Sequence, residues 1–364
     1  MKLIALKDVC KINMGQSPNS SNYNDYGDGM PFFQGNADFG ERYPITRVWC
    51  NTPTKIAQAE DILISVRAPI GALNYAKEEC CIGRGLAAIT PDRNKVSQDF
   101  IYWALKGKKA ELNDKGNGST FKAISRKILE QTMIPDINFE QQHKCAENLE
   151  KIYGIIQNRR KELLALDDLI KARFVEMFGD PVSNPKGWDM VELGELTGIG
   201  SSKRIFEKEY VSEGIPFYRT KEIVELSKGN SISTELYITE ERFAEIKEQY
   251  GVPKAGDLLI SAVGTIGIIW IVDGKNDFYF KDGNLIRVDS SDKFDSVYMK
   301  NLLENLIVEY KKQMSSGTAY AALTISGLTK MKVYDVPMEL QNQFADFVRQ
   351  VDKSELRFHV FQGI

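Results

Sequence analysis

Four short blocks of this 364-residue sequence recur, in the same order, in its second half. Leu3-Ile4-Ala5-Leu6-Lys7-Asp8-Val9 is echoed by Met190-Val191-Glu192-Leu193-Gly194-Glu195-Leu196, and Gly29-Met30-Pro31-Phe32-Phe33 by Gly214-Ile215-Pro216-Phe217-Tyr218. Ala59-Glu60-Asp61-Ile62-Leu63-Ile64-Ser65 returns as Ala255-Gly256-Asp257-Leu258-Leu259-Ile260-Ser261; the two run on to Pro69-Ile70-Gly71 and Thr265-Ile266-Gly267. Gly118-Ser119-Thr120-Phe121-Lys122-Ala123-Ile124 and Gly317-Thr318-Ala319-Tyr320-Ala321-Ala322-Leu323 close the two halves. One echo could arise by chance, but four in register define a duplication, and this sets the architecture before any local element is assigned. The spacing between partners grows from about 185 to about 200 residues, mostly where the second half inserts the charged stretch 235–251.

The matched blocks are apolar, turn-bounded runs of strand length, such as 61–66, 85–90, 257–263 and 284–288. Each copy therefore reads as a β-rich α/β module, with short helices near 99–106 and 296–312. Between the copies the period changes. Leu149, Ile156, Leu163, Ile170 and Met177 fall seven apart, with Ile152 and Leu166 at the interleaved positions, and no proline occurs from Glu140 to Phe178. This is a coiled-coil seam, in which Arg159 and Arg173 are polar interruptions that specify a partner or a register. Gly179-Asp180-Pro181 through Pro185-Lys186-Gly187 ends the helix. Phe344, Phe347, Val351, Phe358 and Phe361 repeat the pattern in a second helix, which stops at Ile364 and reads as shortened. The expected fold class is α+β. Two recognition modules, 1–138 and 181–338, stand in tandem, each followed by a long coiled-coil helix, 139–180 and 339–364.

Composition narrows the function classes. The chain is 43% apolar and 27% charged, the mix of a soluble globular protein. No apolar run approaches the roughly 20 residues of a membrane span, and charges interrupt the apolar residues of the N-terminus, so a cytoplasmic protein without a secretion signal is expected. Cys10, Cys50, Cys80, Cys81 and Cys145 form neither a disulfide framework nor a zinc motif. A net charge of −3 places any contact with nucleic acid on local patches or on partners.

Enzyme motifs are weak. The only histidines, His143 and His359, lie on the predicted spacer helices, so a histidine-dependent hydrolase or a metal site has little to build with. The glycine spacing at Gly35–Gly40 lacks the Lys-Ser/Thr of a phosphate-binding loop and reads as a turn. Gly198-Ile199-Gly200 is a lone Gly-x-Gly, Asn184-Pro185-Lys186 is not a methyltransferase active-site motif, and Glu245-Ile246-Lys247 sits in a charged helix. No metal site and no cofactor is expected in this chain.

What recurs instead is a set of polar and basic loop residues at matched places. Gln34, Asn36 and Arg42 follow the first Pro-aromatic-aromatic strand, and Arg219, Thr220 and Lys221 follow the second. Arg67 is matched by the small residues 262–264. Lys115, Asn117, Ser119, Thr120 and Lys122 are matched by Ser316, Thr318 and Tyr320. Gln and Asn present the donor–acceptor pair that adenine offers, Arg the donor pair that guanine accepts, and Lys and backbone amides hold phosphate. At about 1.5 Å per residue, the first helix is a spacer longer than one turn of double-stranded DNA.

The order 29–36, 60–71 and 116–125, then Ile134-Pro135 and Glu140-Gln141-Gln142 leading into a long helix that ends Phe178-Gly179-Asp180-Pro181, then Asn184-Pro185-Lys186-Gly187-Trp188 opening a second copy, resembles the specificity subunit of type I restriction-modification systems. The resemblance covers nearly the whole chain. It implies two target-recognition domains, each reading one half of a split DNA sequence, with the helices setting the gap. It also implies two adenine-N6 modification subunits that bring S-adenosylmethionine, and restriction subunits that bring ATP- and magnesium-dependent translocation and cleavage, with no such chemistry in this chain. Two other readings stay open: a specificity subunit serving a fused restriction-methyltransferase enzyme, and a coiled-coil scaffold whose two heads bind proteins.

Overall fold

The computed structural model describes residues 2–116, 122–314 and 322–359, with side chains in the last helix described as far as Val351. The chain divides into two compact units, one up to Asn158 and one from Arg159 on.

In the first unit Leu3–Ala5 pairs antiparallel with Met133–Pro135, tying the start of the module to its end. The central sheet is antiparallel, in the order Cys10–Met14, Leu86–Pro91, Ile62–Ser65, Leu73–Tyr75. A smaller sheet joins Tyr23–Asn24, Trp49–Cys50, Met30–Phe33, Cys80–Ile82 and Ile56–Ala57, with Met30–Phe33 running parallel to Cys80–Ile82. The second unit repeats the plan. Met190–Glu192 pairs with Lys332–Tyr334, and Ile199–Gly200, Leu285–Val288, Leu258–Ser261 and Ile269–Ile271 form the four-stranded sheet. Tyr237–Ile238, Ile215–Tyr218 and Tyr279–Phe280 form the smaller sheet, again with one parallel pair. The structure thus carries the duplication in the terminal pair, the four-stranded sheet and the parallel pair, while the smaller sheet has five strands in the first unit and three in the second among the described residues.

The central strands show why an unbroken apolar run was required. Successive side chains point to opposite faces of a sheet. Ile62 and Ile64 enter one core with Phe100, Ile101 and Leu105 of the helix Gln98–Gly107, whereas Leu63 enters another with Phe33 and Ile82. Likewise Leu258 and Ile260 pack with Leu302 and Leu303 of the helix Ser296–Met314, and Leu259 packs with Tyr218 and Phe280. Each strand is buried on both faces.

The turn after each of these strands is also the same. Ser65 Oγ donates to the Pro69 carbonyl (2.7 Å) and accepts from the Ala72 amide (2.9 Å). Ser261 Oγ donates to the Thr265 carbonyl and accepts from the Ile268 amide (2.9 Å). Gly71 and Gly267 close these turns at φ of +83° and +87°, a conformation that strains any residue with a Cβ.

The helix Phe139–Phe178 is continuous over 40 residues. Gln142, 3% exposed, anchors its start: Oε1 accepts from the Ser97 amide (2.7 Å) and Nε2 donates to the Ile137 carbonyl (2.8 Å). Gln341 does the same for the helix Met338–His359, bonding the Asp295 amide (2.9 Å) and the Val336 carbonyl (2.8 Å). At the far end of the first helix the Gly-Pro-rich segment supplies caps for carbonyls left without helical donors. Trp188 Nε1 donates to Phe178 O (2.9 Å) and Lys186 Nζ to Met177 O (3.0 Å).

The expected seam divides. Ile170 and Met177 lie against the second unit's core, where Phe174 and Phe178 are fully buried and cluster with Phe344, Tyr298 and Tyr334. Phe344 lies 5.4 and 5.7 Å, ring centre to ring centre, from Phe174 and Phe178; Phe347 sits beneath the Arg173 guanidinium, and Val351 is buried. Leu163 and Leu166 are half-buried, and the side chain of Phe358 lies outside the described part. Leu149, Ile152 and Ile156 are 42%, 52% and 41% exposed. In this stretch Gln142, Ala146 and Tyr153 face the module. At 3.6 residues per turn, the 149/152/156 stripe lies about a quarter-turn round the helix from that face.

Candidate nucleic-acid interface

Three loops of the first module meet around one open cleft of about 310 Å³. The first follows Met30–Phe33 and turns through the short 3-10 helix Asn36–Asp38. Its shape is set by Asp38, whose Oδ2 accepts from the Gln34 amide (2.7 Å) and the Gly35 amide (3.3 Å), so the loop's one carboxylate is already engaged. The second loop leaves Ile62–Ser65 at Arg67; Arg67 bridges Ala123, and the Ala68 amide donates to Lys122 O (3.1 Å). The third is Gly83-Arg84-Gly85, held by Gly83 N to Phe33 O (2.8 Å) and Gly85 N to Gln34 O (3.1 Å). A Cβ on Gly85 would stand 2.3 Å from Gln34 O, so only glycine permits this approach. The cleft is lined by Gln34, Asn36, Asp38, Arg67, Arg84 and Gly85.

Of the expected readers, Gln34, Asn36 and Arg67 thus converge, and Lys122 is exposed at the strand that borders Arg67. Arg84 is an addition. Its signal was present in the glycines flanking it between two strands, and in the matching Lys281-Asp282-Gly283-Asn284 of the second half. Lys115 does not line the cleft; it and Lys108 bond the two oxygens of Glu111, each at 2.6 Å. Those two hydrogen bonds hold the Glu111 carboxyl below its usual value. Asn117, Ser119 and Thr120 lie outside the described residues, as do Ser316, Thr318 and Tyr320.

Arg42, expected at the interface, is placed elsewhere. Its Nη1 donates to both oxygens of Glu150 on the long helix (2.9 and 2.7 Å), and its guanidinium carbon lies 5.0 and 5.3 Å from the ring centres of Tyr75 and Tyr102. Burial opposes the charge on Arg42, but the Glu150 bond and the neighbouring Tyr75 outweigh it and hold the guanidinium's pKa above its usual value. The physical reason for the changed position is local. The segment Phe39–Pro44 doubles back, with Gly40 N on Tyr43 O and Tyr75 N on Arg42 O, and turns the side chain towards the helix.

The second module builds its cleft, of about 650 Å³, from equivalent loops: Thr220, Lys221, Val224 and Glu225 after Ile215–Tyr218, and Val263, Gly264 and Thr265 after Leu258–Ser261. Arg219 contributes less than its sequence suggests. Its amide donates to Glu222 Oε2 (2.8 Å) and its Nη2 to Oε1 (3.1 Å), and Glu222 is only 1% exposed. The guanidinium therefore serves to neutralise a buried carboxylate. Lys221 remains exposed at the cleft, 3.7 Å from the same carboxylate.

Among the described residues no three His, Cys, Asp or Glu side chains converge to hold a metal, and no helix is long and apolar enough to cross a membrane. The chain is thus a tandem protein of two copies of one scaffold, each with loops of different chemistry around a cleft and each continued by a helix anchored through a buried glutamine.

The sequence matches the type I restriction modification DNA specificity domain twice, over residues 1–165 and 185–359, and the chain belongs to that family. It is 47% identical over 152 residues to the MjaX type I restriction enzyme specificity subunit of Methanocaldococcus jannaschii, covering 42% of this chain and 36% of that protein. It is 27% identical over 263 residues to the MjaIX specificity subunit of the same organism, covering 65% of this chain and 60% of that one. These alignments span less than two thirds of either relative. The crystal structure of the type I restriction-modification S subunit from M. genitalium shares the fold, at a TM-score of 0.57 and 17% identity over 98% of this chain and 91% of that one.

Proposed function

We propose that this chain is the DNA-reading subunit of a type I restriction-modification complex, its two modules each reading one half of a bipartite target. The observation that carries this is the matched pair of clefts, formed by equivalent loops but lined by different residues. In the first, Arg67 and Arg84 present forked donors beside the amide side chains of Gln34 and Asn36, the set that suits guanine and adenine edges in the major groove. In the second, Val224 and Val263 offer apolar surface of the kind that meets a thymine methyl, with Lys221 placed for phosphate. Clustering the cations at the cleft lets a chain of net charge −3 engage a polyanion.

The exposed stripe Leu149, Ile152, Ile155 and Ile156 is an apolar patch on a helix whose neighbouring face is already used. In this reading it is where the methyltransferase subunits dock, and the long helix sets the gap between half-sites. Catalysis, with S-adenosylmethionine, ATP and magnesium, belongs to the partners.

Mapping methylated adenines in cells with and without the chain tests the proposal. A split methylated motif should depend on the chain. Arg84→Ala should relax one half of that motif, at a cost of about 1–3 kcal/mol in the complex's DNA affinity. Lys221→Ala should weaken binding to all sequences alike and lower the salt slope by about one. An unchanged methylation pattern on deletion sinks the reading.

A further inference from the structure

The Arg42–Glu150 contact ties a reading loop to the spacer helix through an unbroken path within the first unit. From the helix, Glu150 binds Arg42 through both carboxylate oxygens. Arg42 sits in the doubled-back segment Phe39–Pro44, whose Gly40 exchanges hydrogen bonds with the buried side chain of Asn74: Gly40 N donates to Oδ1 and Asn74 Nδ2 to Gly40 O, both at 3.1 Å. The Ile45 amide then donates to Asp38 O (2.8 Å), and the Asp38 carboxylate holds the Gln34 and Gly35 amides. Each non-covalent link in this path is a hydrogen bond, and Asn74 fastens it to the strand Leu73–Tyr75.

A surface ion pair alone contributes little, about 0–1 kcal/mol. This one is better placed. Arg42 lies against Tyr75 and Tyr102, which stack at 4.6 Å and are 5% and 2% exposed, and Tyr75 is fixed by its hydroxyl on Asp99 (2.9 Å). Nearby, Lys106 Nζ lies 3.6 Å from the ring centre of Tyr153 on the same helix, a second grip beside the first. The planar guanidinium matches both rings and carboxylate in a way that a lysine cannot.

We propose that Arg42 and Glu150 are a positioning pair that fixes the angle between the first reading loops and the spacer helix, and thereby the number of base pairs allowed between the half-sites. The proposal rests on the bipartite-reader function given above. Its leverage comes from length. Some 28 residues of helix follow Glu150, about 40 Å at 1.5 Å per residue, so a swivel of about 5° displaces the far end by about 3.5 Å, close to the 3.4 Å rise of one base pair. Gap length is therefore sensitive to a contact that touches no base. In the second module, by contrast, Arg349 of the last helix bonds Asp295 at the foot of the helix Ser296–Met314.

The test uses the full chain with its methyltransferase subunits, and reads both half-sites and gap by mapping methylated adenines. Arg42→Ala and Glu150→Ala should leave the half-site bases unchanged and raise methylation at gaps one base pair longer or shorter by at least tenfold. The double variant should be no looser than either single one, because both remove the same contact. Glu150 lies on the helix surface and alanine favours helix, so Glu150→Ala decides the question if the Arg42 variant does not accumulate. Strict parental spacing in Glu150→Ala, additive loosening in the double variant, or altered bases at an unchanged gap would overturn the proposal. A parent complex with no split motif at all would instead refute the reader function, and this inference with it.

Discussion

The two modules share a backbone plan and differ in what they attach to it. The first presents exposed Arg67 and Arg84 in a cleft of about 310 Å³ and commits Arg42 to the helix; the second presents Lys221 and valines in a wider cleft of about 650 Å³ and commits Arg219 to Glu222. In both, the positions that bond identically, Ser65 with Ser261 and Gln142 with Gln341, are buried polar groups that hold turns and helix starts. Leaving such a group without its partner costs about 1–3 kcal/mol, whereas loop side chains around an open cleft are under no such constraint. Specificity can therefore diverge while the frame stays fixed.

Three measurements would break or sharpen this comparison. The largest effect is expected from Phe344→Ala. Its ring is fully buried against Phe174 and Phe178, so the second unit should lose about 3–5 kcal/mol of unfolding free energy, seen as an earlier thermal transition. Leu149→Ala, at an exposed seam position on the first half of the helix, should change stability by no more than about 0.5 kcal/mol. Equal losses would mean that the exposed stripe is covered within the chain. Next come Gln142→Ala and Gln341→Ala, each expected to cost about 1–3 kcal/mol in chemical denaturation, because each strands one buried and one part-buried backbone group. A large inequality between them would show that the two helices are not anchored alike.

The smallest effect reports on the first module alone, since all five cysteines lie between residues 10 and 145. Burial pushes the thiols of Cys10 and Cys80 up to about 12, and Cys145 is exposed. Native protein at pH 8 should therefore react with a thiol reagent at Cys145 and only slowly elsewhere. In the unfolded chain these thiols ionise near 9, so the stability they contribute is complete below pH 9 and declines as pH rises towards 12. Labelling of Cys10 and Cys80 in the native protein as fast as that of Cys145 would contradict this.

The sequence was most legible where physics acts through pattern. The third pair of blocks marks a strand and a turn in each copy, because burial of Ile62–Ser65 and Leu258–Ser261 on both faces demands uninterrupted apolar residues, and the turns demand Gly71 and Gly267 at positive φ. It was least legible for charged loop residues, whose partners are distant in sequence. Nothing local to Arg42 announces Glu150, 108 residues on, and Arg84 gave only the faint sign of its flanking glycines. The seam pattern, too, marked apolar positions without saying which would be met inside the chain: Ile170 packs against the core, whereas Leu149, Ile152 and Ile156 stay exposed.

The division of the chain inside the long helix, between Asn158 and Arg159, also sets where a hybrid of two such chains could be joined. A crossover at the start of the helix would separate Gln142 from Ser97 and Glu150 from Arg42, giving a hybrid whose borrowed half meets a strange helix. A crossover in the middle of the helix passes through exposed positions and leaves both sets of bonds with their owners. The unit that keeps all of its own contacts is thus a module together with the stretch of helix that it grips, and the middle of the helix is the place where a cut breaks the fewest of them.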